Sequence, residues 1–294
     1  MMAAPERESA FAKINLSLSI LGRRADGYHE LQSLVVFSAI ADRIEAHPAS
    51  ALTLDIDGPF AATLSGDPDN LVLRAARGLR DLCGVGQGAR ITLEKNLPVA
   101  SGIGGGSADA AATLRALMCL WHVSPDETAL TRLAASLGAD VPVCLDPSPA
   151  LMSGVGEKIM RLPRLPDFWL LLANPGVGLS TAEVFRALDA PPLATVPQVP
   201  LVPDFVTLDD LVDWLQGEPN DLEPPARRLL PLIGEMIEAI AATPGCRLAR
   251  MSGSGASCFG LYEGYNEAST AAAALAAAHP DWWVVAAPAV SGSG

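Results

Sequence analysis

The chain has 294 residues, of which 50% are hydrophobic and 18% are charged, and its formal net charge is −13. This length suits one large core or two moderate ones, and two domains are the better expectation. The negative charge argues against nucleic acid as the main partner, because phosphate backbones attract basic surfaces. The sequence contains no apolar run of about 18 residues, so no membrane span is predicted.

Cysteine and lysine usage narrows the expectation further. Five cysteines are scattered without a CxxC pair, and residues 1–9 have neither the basic region nor the apolar core of a signal peptide. We therefore expect reduced thiols in a cytoplasmic protein, with no zinc site among the four histidines. Only three lysines, Lys13, Lys95 and Lys158, accompany seventeen arginines. Each lysine is a candidate for a position that needs a compact point charge.

Hydrophobic periodicity and turn residues divide the chain into short elements. In chain order the predicted elements are strands at 10–20, 31–40, 42–47 and 51–57, a helix from an Asn70 cap to Leu82, a strand at 89–96, a helix from Ser107 to Trp121, a helix capped by Ser124 that ends at Gly138, strands up to 162, a strand at 168–175, a helix capped by Ser180, a helix at 224–242, two strands around a turn at 247–262, a helix at 267–278 and a strand at 282–290.

The first predicted strand carries polar residues on one side. Ile14, Leu16 and Leu18 alternate with polar residues, which places Lys13 and Asn15 together on the polar face, roughly 7 Å apart by strand rise. Asp26-Gly27 in the following segment predicts a tight turn. Lys13 could be a solvated strand residue or part of a site, and the pattern alone leaves both open.

The segment Pro98–Ala108, PVASGIGGGSA, precedes an alanine-rich helical pattern. Glycines let backbone N–H groups approach an anion closely, and a helix N-terminus adds unpaired N–H groups and a positive dipole end. The segment therefore indicates a phosphate cradle, although a glycine-rich turn before a buried helix has the same pattern. It matches neither a Walker loop nor a Rossmann fingerprint, since GK[ST] and the third glycine are missing.

A phosphate cradle without its own lysine needs positive charge from elsewhere, and the three lysines are the candidate suppliers. Phosphoryl transfer also needs a positioned hydroxyl and usually a base for its proton. Asp140, in GADVP just after a predicted helix end, is a candidate base if a lysine keeps it ionised. The alternative is a turn residue that hydrogen-bonds nearby backbone. Asp109 would repel phosphate, and we interpret it as structural.

Two segments of the second half complete the pattern. Residues 251–257, MSGSGAS, predict a tight hairpin or a loop that lets backbone approach a ligand. Residues 163–167, PRLPD, predict a linker, and the proline-rich residues 190–205 predict an irregular surface loop. The linker suggests domains at 1–162 and 163–294.

Three separated blocks together resemble the GHMP kinase superfamily, which includes galactokinase, homoserine kinase and mevalonate kinase. They are AKINLSLSILGRRADGYHEL, LPVASGIGGGSADAAATL with GADVP after it, and MSGSGASCFGLY. The DGYHEL continuation is similar to the branch that acts on a cytidine diphosphate methylerythritol in the non-mevalonate isoprenoid pathway. The matching blocks extend over about residues 10 to 262.

The resemblance implies an α+β fold of two domains. An ATP-binding N-terminal domain over 1–162 would be like ribosomal protein S5 domain 2, and a substrate-side domain over 163–294 would be ferredoxin-like. It implies that ATP phosphorylates the 2-hydroxyl of the cytidine compound, giving the 2-phosphate and ADP. Magnesium is expected with ATP; the metal ligands are unknown, with Ser107 the best candidate. No protein, nucleic-acid or membrane partner is evident.

The resemblance also assigns roles to residues of this sequence. Asp140 would be the general base and Lys13 its charged partner. Asn15, Tyr28, His29, Thr181 and Phe185 would bind the substrate, with Tyr28 and His29 recognising the cytosine and Phe185 stacking on it. The cofactor-binding residues would be Pro98, Val99, Ala100, Ser101, Gly102, Ile103, Gly104, Gly105, Gly106, Ser107 and Ala108, together with Lys95.

Two other functions fit the same residues. One is a different small-molecule kinase of the superfamily, of the homoserine or mevalonate type. The other is a sensor of the same fold that binds nucleotide without turnover, against which the joint presence of Lys13 and Asp140 argues.

Overall fold

Strands and helices are interspersed along the whole chain in the computed structural model, which describes residues 5–64, 70–193, 195 and 202–290. The strands are β1 (Glu6–Asn15), β2 (Ser19–Arg23), β3 (His29–Ala49), β4 (Leu52–Asp57), β5 (Gly88–Glu94), β6 (Ala150–Gly154), β7 (Lys158–Arg161), β8 (Trp169–Asn174), β9 (Leu248–Met251), β10 (Cys258–Tyr262) and β11 (Trp283–Pro288). The helices are α1 (Leu71–Cys83), α2 (Gly105–Trp121), α3 (Glu127–Leu137), α4 (Val141–Cys144), α5 (Thr181–Leu188), α6 (Leu208–Gln216), α7 (Glu223–Leu229), α8 (Leu232–Ala241) and α9 (Tyr265–Ala278). The α+β class is confirmed.

The chain divides into two compact units, neither of which is continuous in sequence. The first unit consists of Met1–Ala12, Ile40–Val99 and Gly104–Asp146. The second unit consists of Lys13–Ala39, Ala100–Ile103 and Pro147–Gly294. The boundary between residues 162 and 163 lies inside the second unit, and it stays a prediction about the family's domains.

The first unit packs helices against short strands. The second half of β3 pairs antiparallel with β5, and β5 pairs parallel with β4. Ala89, Ile91 and Leu93 alternate along β5 and are fully buried, as a strand with one covered face requires. Helix α2 is buried on nearly all sides, and its alanines allow this because small side chains let neighbouring elements come close.

The second unit contains the first half of β3 and a separate sheet. That half of β3 pairs antiparallel with β2 and with β6, and β6 pairs with β7. The separate sheet has the strand order β11-β8-β10-β9, with every neighbouring pair antiparallel. Its core joins residues of β8 and β10 to apolar side chains of α7, α8 and α9.

Several predicted details are confirmed. Asn70 caps α1, because its side-chain oxygen accepts the Val72 N–H at 2.9 Å. The Asp26-Gly27 turn closes β2 onto β3, with Gly27 at φ +89°. The Ser180 hydroxyl accepts the Glu183 N–H at 3.4 Å at the start of α5.

Several predicted boundaries are wrong. The strands at 31–40 and 42–47 are one continuous strand, β3, and the strand at 10–20 ends at Asn15 before a new one starts at Ser19. The N-cap of α3 is Asp126 and not Ser124, since its carboxylate accepts the Ala129 N–H at 3.1 Å.

The predicted helix at 224–242 is two helices, and the helix before it was not predicted. Leu230 leaves the helical conformation and Pro231 follows, because a proline ring disfavours a helical residue before it and removes an N–H. The missed α6 had a sequence signal, the capping box that Thr207 forms with Asp210. Residues 194 and 196–201 of the predicted 190–205 loop lie outside the described residues.

No described helix is long and apolar enough to cross a membrane.

Candidate active site

Helix α2 begins within the glycine segment that the sequence analysis identified. Gly104 is its N-cap at φ +65°, and the first hydrogen bond of the helix joins the Ala108 N–H to the Gly104 carbonyl at 2.9 Å. The N–H groups of Gly105, Gly106 and Ser107 therefore precede the helical ladder, as in any helix N-terminus. The start of α2 has the backbone arrangement that binds anions.

Residues 101–103 of the segment belong to the second unit, where neighbouring backbone holds them. The Lys13 N–H donates to the Ile103 carbonyl at 2.9 Å, and the Ser257 N–H donates to the Ser101 carbonyl at 3.0 Å. Gly102 is at φ +75°, and a Cβ there would lie 2.5 Å from the Ser252 carbonyl oxygen. Only glycine fits this position.

Ser252 links the strand that carries Asn15 to the glycine segment. The buried Ser252 hydroxyl accepts the Asn15 backbone N–H at 3.1 Å and donates to the Gly102 carbonyl at 3.0 Å. Asn220 fixes the same loop, since its amide donates to the Met251 and Gly253 carbonyls, both at 2.9 Å. The segment at residues 251–257 thus supports the segment Pro98–Ala108. Its own sequence pattern left this role open.

Lys13 and Asn15 are buried, so of the two alternatives for Lys13 the solvated strand residue is wrong. Each is only 3% exposed. The Asn15 amide donates to the Ser33 hydroxyl at 2.7 Å, while its buried oxygen has no hydrogen-bond partner among the described residues. An unpaired buried acceptor costs free energy, so this oxygen is suited to a ligand that donates a hydrogen bond.

Lys95 lies beneath the start of α2, between two carboxylates. Its ammonium contacts Asp42 at 2.5 Å and Asp109 at 2.6 Å, and all three side chains are buried. A Cβ on Gly105 would lie 3.2 Å from the Lys95 Nζ. Asp42 also accepts the N–H groups of Asn96 and Leu97, at 2.6 and 2.8 Å. The Lys95 charge is therefore shared with protein carboxylates, and its direct contact with ATP stays a prediction.

The pKa values of this triad move in a way that its burial and charges explain. Burial lowers the pKa of Lys95, but the charges of Asp109 and Asp42 outweigh it and raise that pKa above its ordinary value. Burial, with the nearby Asp42 charge, raises the pKa of Asp109 well above its ordinary value despite Lys95. Asp109 is thus a structural partner of Lys95, in line with its interpretation from the sequence.

Asp140 lies in the first unit at the start of the short helix α4. It is partly exposed, and its side chain does not cap α4. Arg115 holds the other end of α4, because its guanidinium donates to the Cys144 carbonyl at 2.8 Å. A Cβ on Gly138 would lie 3.8 Å from the Ser107 hydroxyl, so the loop before Asp140 passes close to the first turn of α2.

The second unit brings together two of the predicted substrate residues. The rings of His29 and Phe185 have centroids 4.9 Å apart, at an interplanar angle of 36°. Burial and the Arg23 charge both lower the pKa of His29, so the imidazole is neutral near pH 7. Tyr28 is 65% exposed beside them, and the Thr181 hydroxyl lies 2.7 Å from the Ser254 hydroxyl.

The described residues contain no group of three or more His, Cys, Asp or Glu side chains arranged to hold a metal ion.

Comparison with known proteins gives the family. Residues 70–153 match the GHMP kinases N terminal domain, and residues 199–281 match the GHMP kinases C terminal domain. A protein from Parvibaculum lavamentivorans named 4-diphosphocytidyl-2-C-methyl-D-erythritol kinase is 63% identical, over 96% of this chain and 98% of its own length. The chain belongs to the 4-diphosphocytidyl-2-C-methyl-D-erythritol kinase family.

Other relatives of this GHMP kinase agree. The Cereibacter sphaeroides protein of the same name is 55% identical over 94% of this chain and 96% of its own. A crystal structure of a 4-(cytidine 5'-diphospho)-2C-methyl-D-erythritol kinase is 38% identical with a TM-score of 0.77, covering 98% of this chain and all of that one. Homoserine kinase from Cytophaga hutchinsonii, at 18% identity and TM-score 0.69 over 99% and 96% of the two chains, shares the fold.

We predict that Lys95→Met destabilises the kinase by about 3–5 kcal/mol, because it leaves buried carboxylates without their counter-charge. Adding Asp109→Asn to that variant should recover about 1 kcal/mol or more, since one of the uncompensated acids becomes neutral. Urea unfolding of the two single variants and the double variant at pH 7 measures the coupling. Additivity within about 0.5 kcal/mol would show that these charges do not interact.

Proposed function

We propose that this kinase transfers the γ-phosphate of ATP to the 2-hydroxyl of 4-diphosphocytidyl-2-C-methyl-D-erythritol, giving the 2-phosphate and ADP in non-mevalonate isoprenoid precursor synthesis. The observation that carries the proposal is the 63% identity, over nearly the full length of both chains, to a relative with that name. The five scattered cysteines, an odd number, favour reduced thiols and so support a reaction in the cytoplasm.

ATP is held, in this proposal, by the segment Pro98–Ala108. The N–H groups at the start of α2 donate to phosphate oxygens, and the positive end of the helix dipole favours their charge. Gly102 and Gly104 supply the backbone conformation, at φ +75° and +65°. Lys95 acts indirectly, since its contacts with Asp42 and Asp109 stabilise the position of this helix start.

Asp140 is the general base and Lys13 its charged partner. The substrate hydroxyl oxygen forms a bond to the γ-phosphorus as the bond from that phosphorus to the β,γ-bridging oxygen breaks, and ADP leaves. The hydroxyl proton passes to the Asp140 carboxylate, the general base of the transfer. Lys13 supplies positive charge as a compact ammonium, and not as the planar guanidinium of an arginine.

The cytidine is recognised by the side chains around the hairpin of β2 and β3. A neutral His29 offers one ring nitrogen as donor and the other as acceptor, which matches the mixed polar edge of cytosine. Phe185 and Tyr28 offer flat surfaces for stacking, worth about 1–3 kcal/mol per base. The unpaired Asn15 oxygen accepts a substrate hydroxyl, and Thr181 adds a further hydroxyl contact.

Magnesium fits this site as an ion held mainly by ATP. Mg²⁺ is commonly bound through one or two protein oxygens together with substrate phosphates, so it needs no dedicated cluster of acids. The Ser107 hydroxyl, which faces the loop before Asp140, is the protein oxygen that would hold it. When bound, the ion neutralises negative charge on the phosphates.

We predict that the purified protein releases ADP with the cytidine substrate and not with homoserine or mevalonate, because only the first has a cytosine for His29, Tyr28 and Phe185 to bind. Coupled ADP release with each acceptor measures this. Cytidine diphosphate without the methylerythritol group serves as a control that lacks the accepting hydroxyl. Turnover of homoserine but not of the cytidine compound would overturn the assignment.

We also predict that Asp140→Asn lowers kcat by about 10²–10⁴-fold, since a general base contributes that much, while ATP affinity stays nearly intact. Steady-state kinetics and ATP titration measure the two effects. Asp126→Asn is the matched control, because asparagine caps α3 as well as aspartate does. Unchanged turnover of Asp140→Asn would remove the base assignment.

A further inference from the structure

The start of the proline-rich loop after α5 forms an isolated β-bridge with β2. The Arg23 N–H donates to the Pro191 carbonyl at 2.8 Å, and the Leu193 N–H donates to the Arg23 carbonyl at 2.8 Å. Arg23 and Pro192 thus pair in parallel. This segment, Pro191–Leu193, adds one isolated β-bridge to β2.

Two residues at this pairing, Pro192 and Gly22, suit a segment that lies close to β2 and ends the sheet there. In a parallel pair the N–H of the central residue points away from its partner, and Pro192 has no N–H there, so the edge cannot pair further. On the other side, a Cβ on Gly22 would lie 2.8 Å from the Leu193 Cα. Gly22 is at φ +148°, so only glycine allows the segment to approach this closely.

Through this pairing, the segment Pro191–Leu193 is connected to His29 and Phe185, the two aromatic residues of the proposed cytidine pocket. Arg23 lies opposite His29 in the β2–β3 register, and His29 contacts Phe185. Phe185 is on α5, and only five residues separate it from Pro191. The chain reverses within those residues through Asp189, at φ +52°. The position of the segment Pro191–Leu193 is therefore coupled to the positions of His29 and Phe185.

Helix α5 is held at several points along its length: Thr181 lies in hydrogen-bond distance of Ser254, and Phe185 and Leu188 pack against the core of the second unit. Val184 is its one buried side chain among the described residues, and Arg228 of α7 donates to the Ala187 carbonyl at 3.0 Å. A short helix of eight residues needs tertiary contacts to keep its orientation. The hydrogen bonds of the segment Pro191–Leu193 supply such a contact directly beside His29.

We propose that the segment Pro191–Leu193 is a specificity-determining positioning element, which sets the gap between His29 and Phe185 and so selects the base of the substrate. The inference rests on the proposed cytidine-binding function and adds to it the structural cause of base selection. The segment does not touch the reacting atoms. Its effect is expected on cytidine binding and not on ATP binding or the chemical step.

The test compares Leu193→Pro with Leu193→Ala. Both variants shorten the side chain, but only proline removes the N–H that donates to Arg23. Titration calorimetry with cytidine diphosphate and, separately, with ADP measures each pocket on the full-length protein. We expect Leu193→Pro to bind cytidine diphosphate about 5- to 20-fold more weakly, because a loosened pocket must be ordered on binding. ADP binding and the affinities of Leu193→Ala should stay close to the wild-type values.

The outcomes separate this inference from the proposed function. Equal cytidine diphosphate affinity in the wild type and Leu193→Pro would overturn the positioning role. Loss of ADP binding in the same variant would also overturn it, since the segment would then support the whole fold. If the wild type binds cytidine diphosphate no more tightly than uridine diphosphate, the cytidine assignment itself fails, whatever the variants do. A larger kcat loss than KM change in Leu193→Pro would contradict a role confined to substrate binding.

Discussion

The proposed ATP site depends on a place where backbone meets backbone with no room for a side chain. Gly102 approaches the loop of Ser252 and Gly255 so closely that a Cβ would lie 2.5 and 2.7 Å from their carbonyl oxygens. At the same place the Ser252 hydroxyl joins the Asn15 N–H to the Gly102 carbonyl. This arrangement requires glycine at position 102, where no side chain fits, and a hydroxyl at position 252, which both accepts and donates a hydrogen bond. The strand proposed to hold the substrate and the segment proposed to hold ATP are therefore fixed by one residue.

The start of α2 depends on electrostatics instead. Breaking a buried charge pair costs about 3–5 kcal/mol, which is comparable with the whole stability of many proteins at about 5–15 kcal/mol. Breaking the buried cluster of Lys95, Asp42 and Asp109 would therefore remove a large part of the stability of the first unit. Lys95 lies next to Gly105, so the cluster fixes the position of the first turn of α2. The carboxylates of Asp42 and Asp109 hold the Lys95 ammonium in place.

Local signals predicted most elements because they act over a few residues. The Asn70 cap, the Asp26-Gly27 turn and the strand at 168–175 each follow from neighbouring side chains. The length of β3, the burial of Lys13 and the Lys95 triad could not be predicted, since each depends on partners distant in sequence. The role of Ser252 was hidden for the same reason, because it lies 237 positions after Asn15 in the sequence. The family came from three blocks together, which no single periodic pattern would have given.

The central claim is the reaction itself, and phosphorus NMR of its product tests it most directly. The protein would be incubated with ATP, Mg²⁺ and 4-diphosphocytidyl-2-C-methyl-D-erythritol until the acceptor is consumed. We expect one new phosphomonoester signal per ADP formed, with the cytidine diphosphate signals retained. The new signal should show no coupling to a proton on the ester carbon, because the 2-hydroxyl is tertiary. Release of ADP without a phosphomonoester, or a phosphate on a primary or secondary hydroxyl, would contradict it.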